Sequence, residues 1–65
     1  MDKYRVRATF AAAELAAVTT ITARFGYFDE LDPQHGAAYE KVFYGLLAER
    51  YPDSNLEDLV SILNS

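Results

Sequence analysis

Two prolines punctuate this chain, and each one fixes where a helix can begin or end. Pro33 follows Asp32. A proline at the first helical position gives up an amide that no helix start uses, and an aspartate just before it can cap the other free amides. Pro52 acts the other way: it cannot continue a helix, and it pushes Tyr51 out of helical geometry. Between them Tyr39, Val42, Phe43, Leu46 and Leu47 recur at helical spacing, which predicts a helix from Pro33 to about Tyr51. Gly45 inside that helix costs about 1 kcal/mol relative to alanine. The glycine predicts a point where a crossing helix comes close.

Outside this segment the pattern changes. In KYRVRATF, Tyr4, Val6, Ala8 and Phe10 alternate with Lys3, Arg5, Arg7 and Thr9. Period two predicts a short N-terminal strand, which needs an edge to pair with, in this chain or in a second copy. Thr9 then caps AAAELAAVTTITARFG, where Leu15, Val18, Ile21 or Thr22, and Phe25 fall on one helical face. Gly26 supplies the stop and Arg24 sits at the negative end of the helix dipole. The β-branched run VTTIT argues for a strand at 18–25 instead. The alanine-rich start and the spacing favour the helix. Ser54-Asn55-Leu56-Glu57 has the S-x-x-E form of a capping box and opens a last helix, Asn55 to Asn64, with Leu56, Leu59, Val60 and Leu63 facing inward. The expected fold is therefore α+β and mostly helical, one N-terminal strand followed by three helices, in a single compact domain spanning residues 1–65.

Size narrows the options. A chain of 65 residues buries only about 60% of the surface its unfolded form exposes, so its core is thin. With no cysteine there is no disulfide or thiolate–zinc staple, and stability must come from packing, as a monomer or a homodimer. The start MDKYRVRATF has no apolar run of the signal-peptide kind, and no membrane-length apolar stretch follows. A soluble protein of the cytoplasm is expected, with no membrane association.

Chemistry by the side chains has few candidates. The single histidine, His35, lies near Asp29, Glu30 and Asp32. One imidazole without a thiol makes a poor metal site, and carboxylates before a helix already stabilise its positive end by roughly 0.3–1 kcal/mol each. His35 is read as a surface residue of the first helical turn. Ser54 is assigned to its cap, Ser61 and Ser65 have no base nearby, and Gly26, Gly36 and Gly45 are too far apart for a phosphate loop. No enzyme activity, cofactor or metal is expected.

Charge is the remaining signal. The formal net charge is -4, unevenly spread. Residues 1–26 hold Lys3, Arg5, Arg7 and Arg24 against Asp2 and Glu14. Residues 27–65 hold only Lys41 and Arg50 against Asp29, Glu30, Asp32, Glu40, Glu49, Asp53, Glu57 and Asp58. A short strand carrying Lys3, Arg5 and Arg7 and followed by helices resembles the ribbon-helix-helix repressors, a likeness that implies a dimer placing paired strands in the DNA major groove. The interval from Gly26 to Pro33 is longer and more acidic than that family's turn, and the chain as a whole repels phosphate.

The acidic part suggests another partner. Tyr27, Phe28, Tyr44 and Tyr51 lie among its carboxylates, and so small a core cannot bury all of them. In layout, with YRVRATF, AAAELAAV and AAYEKVFYGLLAERYPD in a short acidic chain without cysteine, the sequence is similar to small bacteriophage accessory proteins, among them anti-CRISPR proteins. That resemblance implies a non-catalytic inhibitor in the bacterial host cytoplasm. Its target would be a host nucleic-acid-binding protein or complex, a CRISPR surveillance complex being one such target, and its carboxylates would stand where DNA phosphates otherwise bind. The expected partner surface is Asp29, Glu30, Asp32, Glu49, Asp53, Glu57 and Asp58 with Tyr27, Tyr44 and Tyr51. The alternative is a DNA-binding repressor or antitoxin using Lys3, Arg5 and Arg7. Direct nucleic-acid binding is not expected of the leading reading.

Overall fold

A computed structural model describes residues 2–65. Three helices follow one another: α1 from Lys3–Phe25, α2 from Pro33–Arg50 and α3 from Leu56–Leu63, with no strand among the described residues. The expected α+β class is corrected to all-helical. KYRVRATF is the first two turns of α1, capped by Asp2, whose side chain accepts from the Tyr4 amide at 2.9 Å, and not by Thr9. The reason lies in the spacing. Val6 and Phe10 are four residues apart, which suits a strand and a helix equally, but Phe10 continues through Ala13, Ala17 and Ile21 at steps that only a helix keeps on one face. Val6, Ala13, Ala17 and Ile21 are all fully buried. The VTTIT run is helical, and Gly26 ends α1 with φ 84°, donating its amide to the Thr22 carbonyl at 2.8 Å. A glycine is required there because other residues resist a positive φ.

This register places Leu15 on the outside, 68% exposed, and corrects its expected place in the core. The alanines at 13 and 17 take the inward positions. Small side chains there let the partner helices approach the α1 backbone, and α2 lies along much of α1. Phe10 and Phe43 meet edge to face with ring centroids 5.6 Å apart, and Leu47 and Leu59 are buried against the cluster from α2 and α3.

α2 begins and ends where the prolines require. Asp32 caps it by accepting from the Gln34 amide at 2.9 Å, and Tyr51 follows its last residue. α3 is capped by Asn55, which accepts from the Asp58 amide at 2.9 Å, one residue later than the expected Ser54 box. Asn and Ser cap about equally well. α3 packs on α1, and no Cα of α2 comes within 8 Å of one in α3. Leu59 is thereby buried, while Leu56 and Val60, expected inside, are 39% and 40% exposed. The ends of the chain meet where Lys3 Nζ donates to the Ser65 carbonyl at 3.4 Å.

No helix crosses at Gly45. It is exposed, and a Cβ built there meets nothing within 4 Å. Its expected role in close packing is corrected, and it remains a helix-interior glycine with its entropic penalty. Gly45→Ala should therefore stabilise the protein by about 0.5–1 kcal/mol. Thermal denaturation followed by circular dichroism should show Tm rising by roughly 2–8 °C; a lower Tm would contradict the open surroundings of this position.

Candidate partner-binding surface

The turn between α1 and α2 is built around His35. The imidazole is 1% exposed, which corrects its expected place on the surface. Its ring stacks on Phe25 with centroids 4.4 Å apart, is flanked by Tyr27 at 4.8 Å and lies 6.4 Å from Phe28. Its Nδ1 accepts from the Asp29 amide at 3.0 Å, so in the neutral ring the proton sits on Nε2, which is 3.8 Å from Asp32 Oδ2. A neutral ring among aromatics whose polar edge is satisfied can be buried without the large penalty of an unpaired polar group. The local signal was the aromatic run Phe25, Tyr27 and Phe28 a few residues ahead of the only histidine. The flat faces need a flat filler.

This anchoring sets the acidic turn. Asp29 Oδ1 accepts from the Leu31 amide at 3.0 Å and the Asp29 carbonyl accepts from the Asp32 amide at 3.0 Å, so Asp29 and Asp32 both shape backbone. Glu30 has no such role and is exposed. Tyr27, Phe28 and Leu31 are exposed beside it, Leu31 by 86%.

The expected partner residues do not form one patch. Tyr27, Asp29, Glu30 and Asp32 lie before α2, whereas Glu49, Tyr51, Asp53, Glu57 and Asp58 lie at or beyond its far end. An 18-residue helix separates the two groups by about 27 Å. Tyr51 is half-buried, its hydroxyl 3.3 Å from Thr9 Oγ1, so it serves the core more than the surface. Tyr44 is 45% exposed and lines a groove of about 140 Å³ with Leu47, Ala48, Ser54, Leu56 and Leu59. That groove runs between α2 and α3, whose Cα atoms stay more than 8 Å apart. Leu31, Leu56 and Val60, exposed apolar residues beside carboxylates, were not singled out from sequence, where helical spacing read the last two as core.

A third acidic feature joins elements that the sequence keeps apart. Glu14 and Val18 of α1, Phe28 and Glu30 of the turn, and Gly36, Tyr39 and Glu40 of α2 line a cleft of about 270 Å³. Burial chiefly, then the Glu14 charge and Tyr44, hold the Tyr39 phenol above the usual 10.0. The three carboxylates around an aromatic wall suit a cationic side chain.

The basic residues are redistributed as well. Lys3, Arg5 and Arg7 would share one face of a strand, but on a helix Arg5 points roughly opposite to Lys3 and Arg7. Arg5 instead lines a groove with Asp2, Ala8, Thr9, Arg50 and Tyr51. The paired strands of the ribbon-helix-helix arrangement have no counterpart among the described residues, since residues 3–25 are helical. Comparison with protein families, with curated proteins and with solved structures gave no match.

Two predictions come from this geometry. His35→Phe keeps the ring contacts and removes the acceptor of the Asp29 amide, which should cost about 1 kcal/mol, while His35→Ala also leaves a cavity and should cost about 3 kcal/mol. Urea denaturation should separate the two variants in that order; equal and negligible losses would mean that the turn does not depend on the imidazole. Because Tyr39 holds its proton longer in the folded state, its contribution to stability is intact below pH 10 and is lost as pH rises through the folded value. Glu14→Gln should bring the Tyr39 titration, read from the tyrosine ring carbon by NMR, part of the way back toward 10.0, with burial keeping it above. No movement would remove Glu14 from that cleft.

Proposed function

We propose that this chain is a non-catalytic binding protein that inhibits a nucleic-acid-binding protein or complex by occupying its basic groove. One observation carries the reading. Among the described residues the sole carboxylate–base contact within 4.0 Å is Asp32 with the neutral His35 ring, so no carboxylate there lies within that distance of a lysine or arginine of its own chain. Carboxylates left unpaired over the turn, the α1–α2 cleft and the α3 start form a polyanionic outline. The basic side chains of a nucleic-acid groove respond to such an outline as they do to phosphates, and opposite fields speed the encounter.

Exposed apolar groups supply what charge alone does not. Tyr27, Phe28 and Leu31 stand beside Glu30, and Tyr44, Leu56 and Val60 stand near Asp53 and Glu57. Of these the tyrosines are the kind of side chain that most often anchors a protein interface, with the neighbouring apolar groups excluding water around them. Phage-encoded inhibitors of the anti-CRISPR type are one class of protein that works this way, with a CRISPR surveillance complex in the host cytoplasm as the target. No described helix is long and apolar enough to cross a membrane.

The test is capture from a bacterial lysate with the purified chain as bait, at low and high salt and after nuclease treatment. Salt-sensitive, nuclease-resistant capture of a nucleic-acid-binding complex is expected. The combined variant Glu30→Gln, Glu49→Gln, Asp53→Asn and Glu57→Gln leaves the caps intact and should weaken that capture at least about tenfold. Recovery of DNA itself, lost on Arg5→Ala with Arg7→Ala, would overturn the proposal, as would capture indifferent to the carboxylates.

A further inference from the structure

The outer face of α1 carries a separate inference. Both partner helices pack on one side of α1, leaving its back open over a length of about 34 Å. At 100° per residue, Tyr4, Ala8, Ala11, Leu15 and Thr22 lie within an arc of about 60°, opposite the buried Val6, Ala13 and Ala17. All five are exposed, Tyr4 and Leu15 by 68% each. From Ala8 to Ala23 the chain has one charged residue, Glu14. A solvated helix face usually carries charge at roughly a quarter to a third of its positions. This face is built like an interface, with a small-residue centre and a large apolar group toward each end.

The charges at its edge select the occupant. Arg7 and Glu14 lie on the same flank of that stripe, about 20° apart on the helical wheel. When two copies of one helix pack antiparallel, like flanks meet. A two-fold axis through Ala11 then sets Ala11 against its own equivalent, Tyr4 opposite Val18, and Arg7 within one residue of Glu14 in the second copy. The symmetry makes that pairing twice. It also brings each Arg7 toward the cleft where Glu14, Glu30 and Glu40 converge. A parallel pair would instead bring opposite flanks together, leaving the Arg7–Glu14 flanks of the two copies on opposite sides of the seam, where they cannot pair. From this face and its self-complementary charges we infer that the protein forms an antiparallel, two-fold symmetric homodimer through the back of α1, centred on Ala11 and closed by reciprocal Arg7–Glu14 pairs. The inference stands independently of the inhibitor reading.

The absence of cysteine makes the arrangement directly testable. Sedimentation equilibrium of the full chain over a series up to about 1 mM should show a monomer–dimer equilibrium. Arg7→Glu and Glu14→Arg should each weaken the dimer about tenfold at low salt, and the two together should restore it. Ala11→Glu should leave only monomer with an unchanged helical circular dichroism spectrum. Under mild oxidation, Ala11→Cys should cross-link rapidly, since its Cα atoms would lie within the roughly 7 Å a disulfide requires, whereas Thr22→Cys should not. A monomer at every concentration, failure of the double reversal to restore association, a dimer insensitive to Ala11→Glu, or cross-linking of Thr22→Cys as fast as Ala11→Cys would each overturn the inference.

Discussion

The fold depends on α1 serving as the one surface against which everything else packs. α2 and α3 both pack on it, and no Cα of one comes within 8 Å of a Cα of the other. This works because Ala13 and Ala17 occupy the middle of the inward stripe, where a larger side chain would hold the neighbouring helices away from the α1 backbone. Val6 and Ile21, fully buried toward either end of the stripe, supply the bulk that the alanines lack. With so few buried side chains, most of the apolar surface stays at the boundary with water, as size alone requires of a chain this short.

That arrangement produces the surface features bearing on function. Because no Cα of α3 comes within 8 Å of one in α2, the groove between them that holds Tyr44 and Leu56 stays open. Because α1 is covered on one side only, its other side is left without a partner. At the turn, His35 fills the space among Phe25, Tyr27 and Phe28 and holds the Asp29 amide, so the acidic loop is presented in a set shape instead of collapsing onto the helix ends. Anchoring by a buried neutral ring frees Glu30 and the exposed apolar groups around it for a partner.

The sequence was most legible where single residues impose geometry. Asp32-Pro33, Tyr51-Pro52 and Gly26 mark the ends of helices as expected, since proline and left-handed glycine act through local sterics. Residues 3–10 misled because a window of eight cannot separate period two from period 3.6 when its bulky positions are four apart. Only the continuation through Ala13, Ala17 and Ile21 breaks the tie, and alanine is easily discounted as core. Leu15, Leu56 and Val60 look like core residues by type and spacing, yet which apolar face is covered depends on how many helices the chain has to cover it. Likewise, the acidic residues at either end of α2 read as one surface in sequence and form two in space.

Native-state hydrogen exchange measured by NMR tests the central claim, that α1 is one continuous helix on which the rest is assembled. The slowest amides should lie in α1 from Phe10 to Ile21, with protection already present between Arg7 and Thr9, and α3 should open separately at lower free energy. Rapid exchange of residues 7–9, or α3 as protected as the centre of α1, would contradict that account.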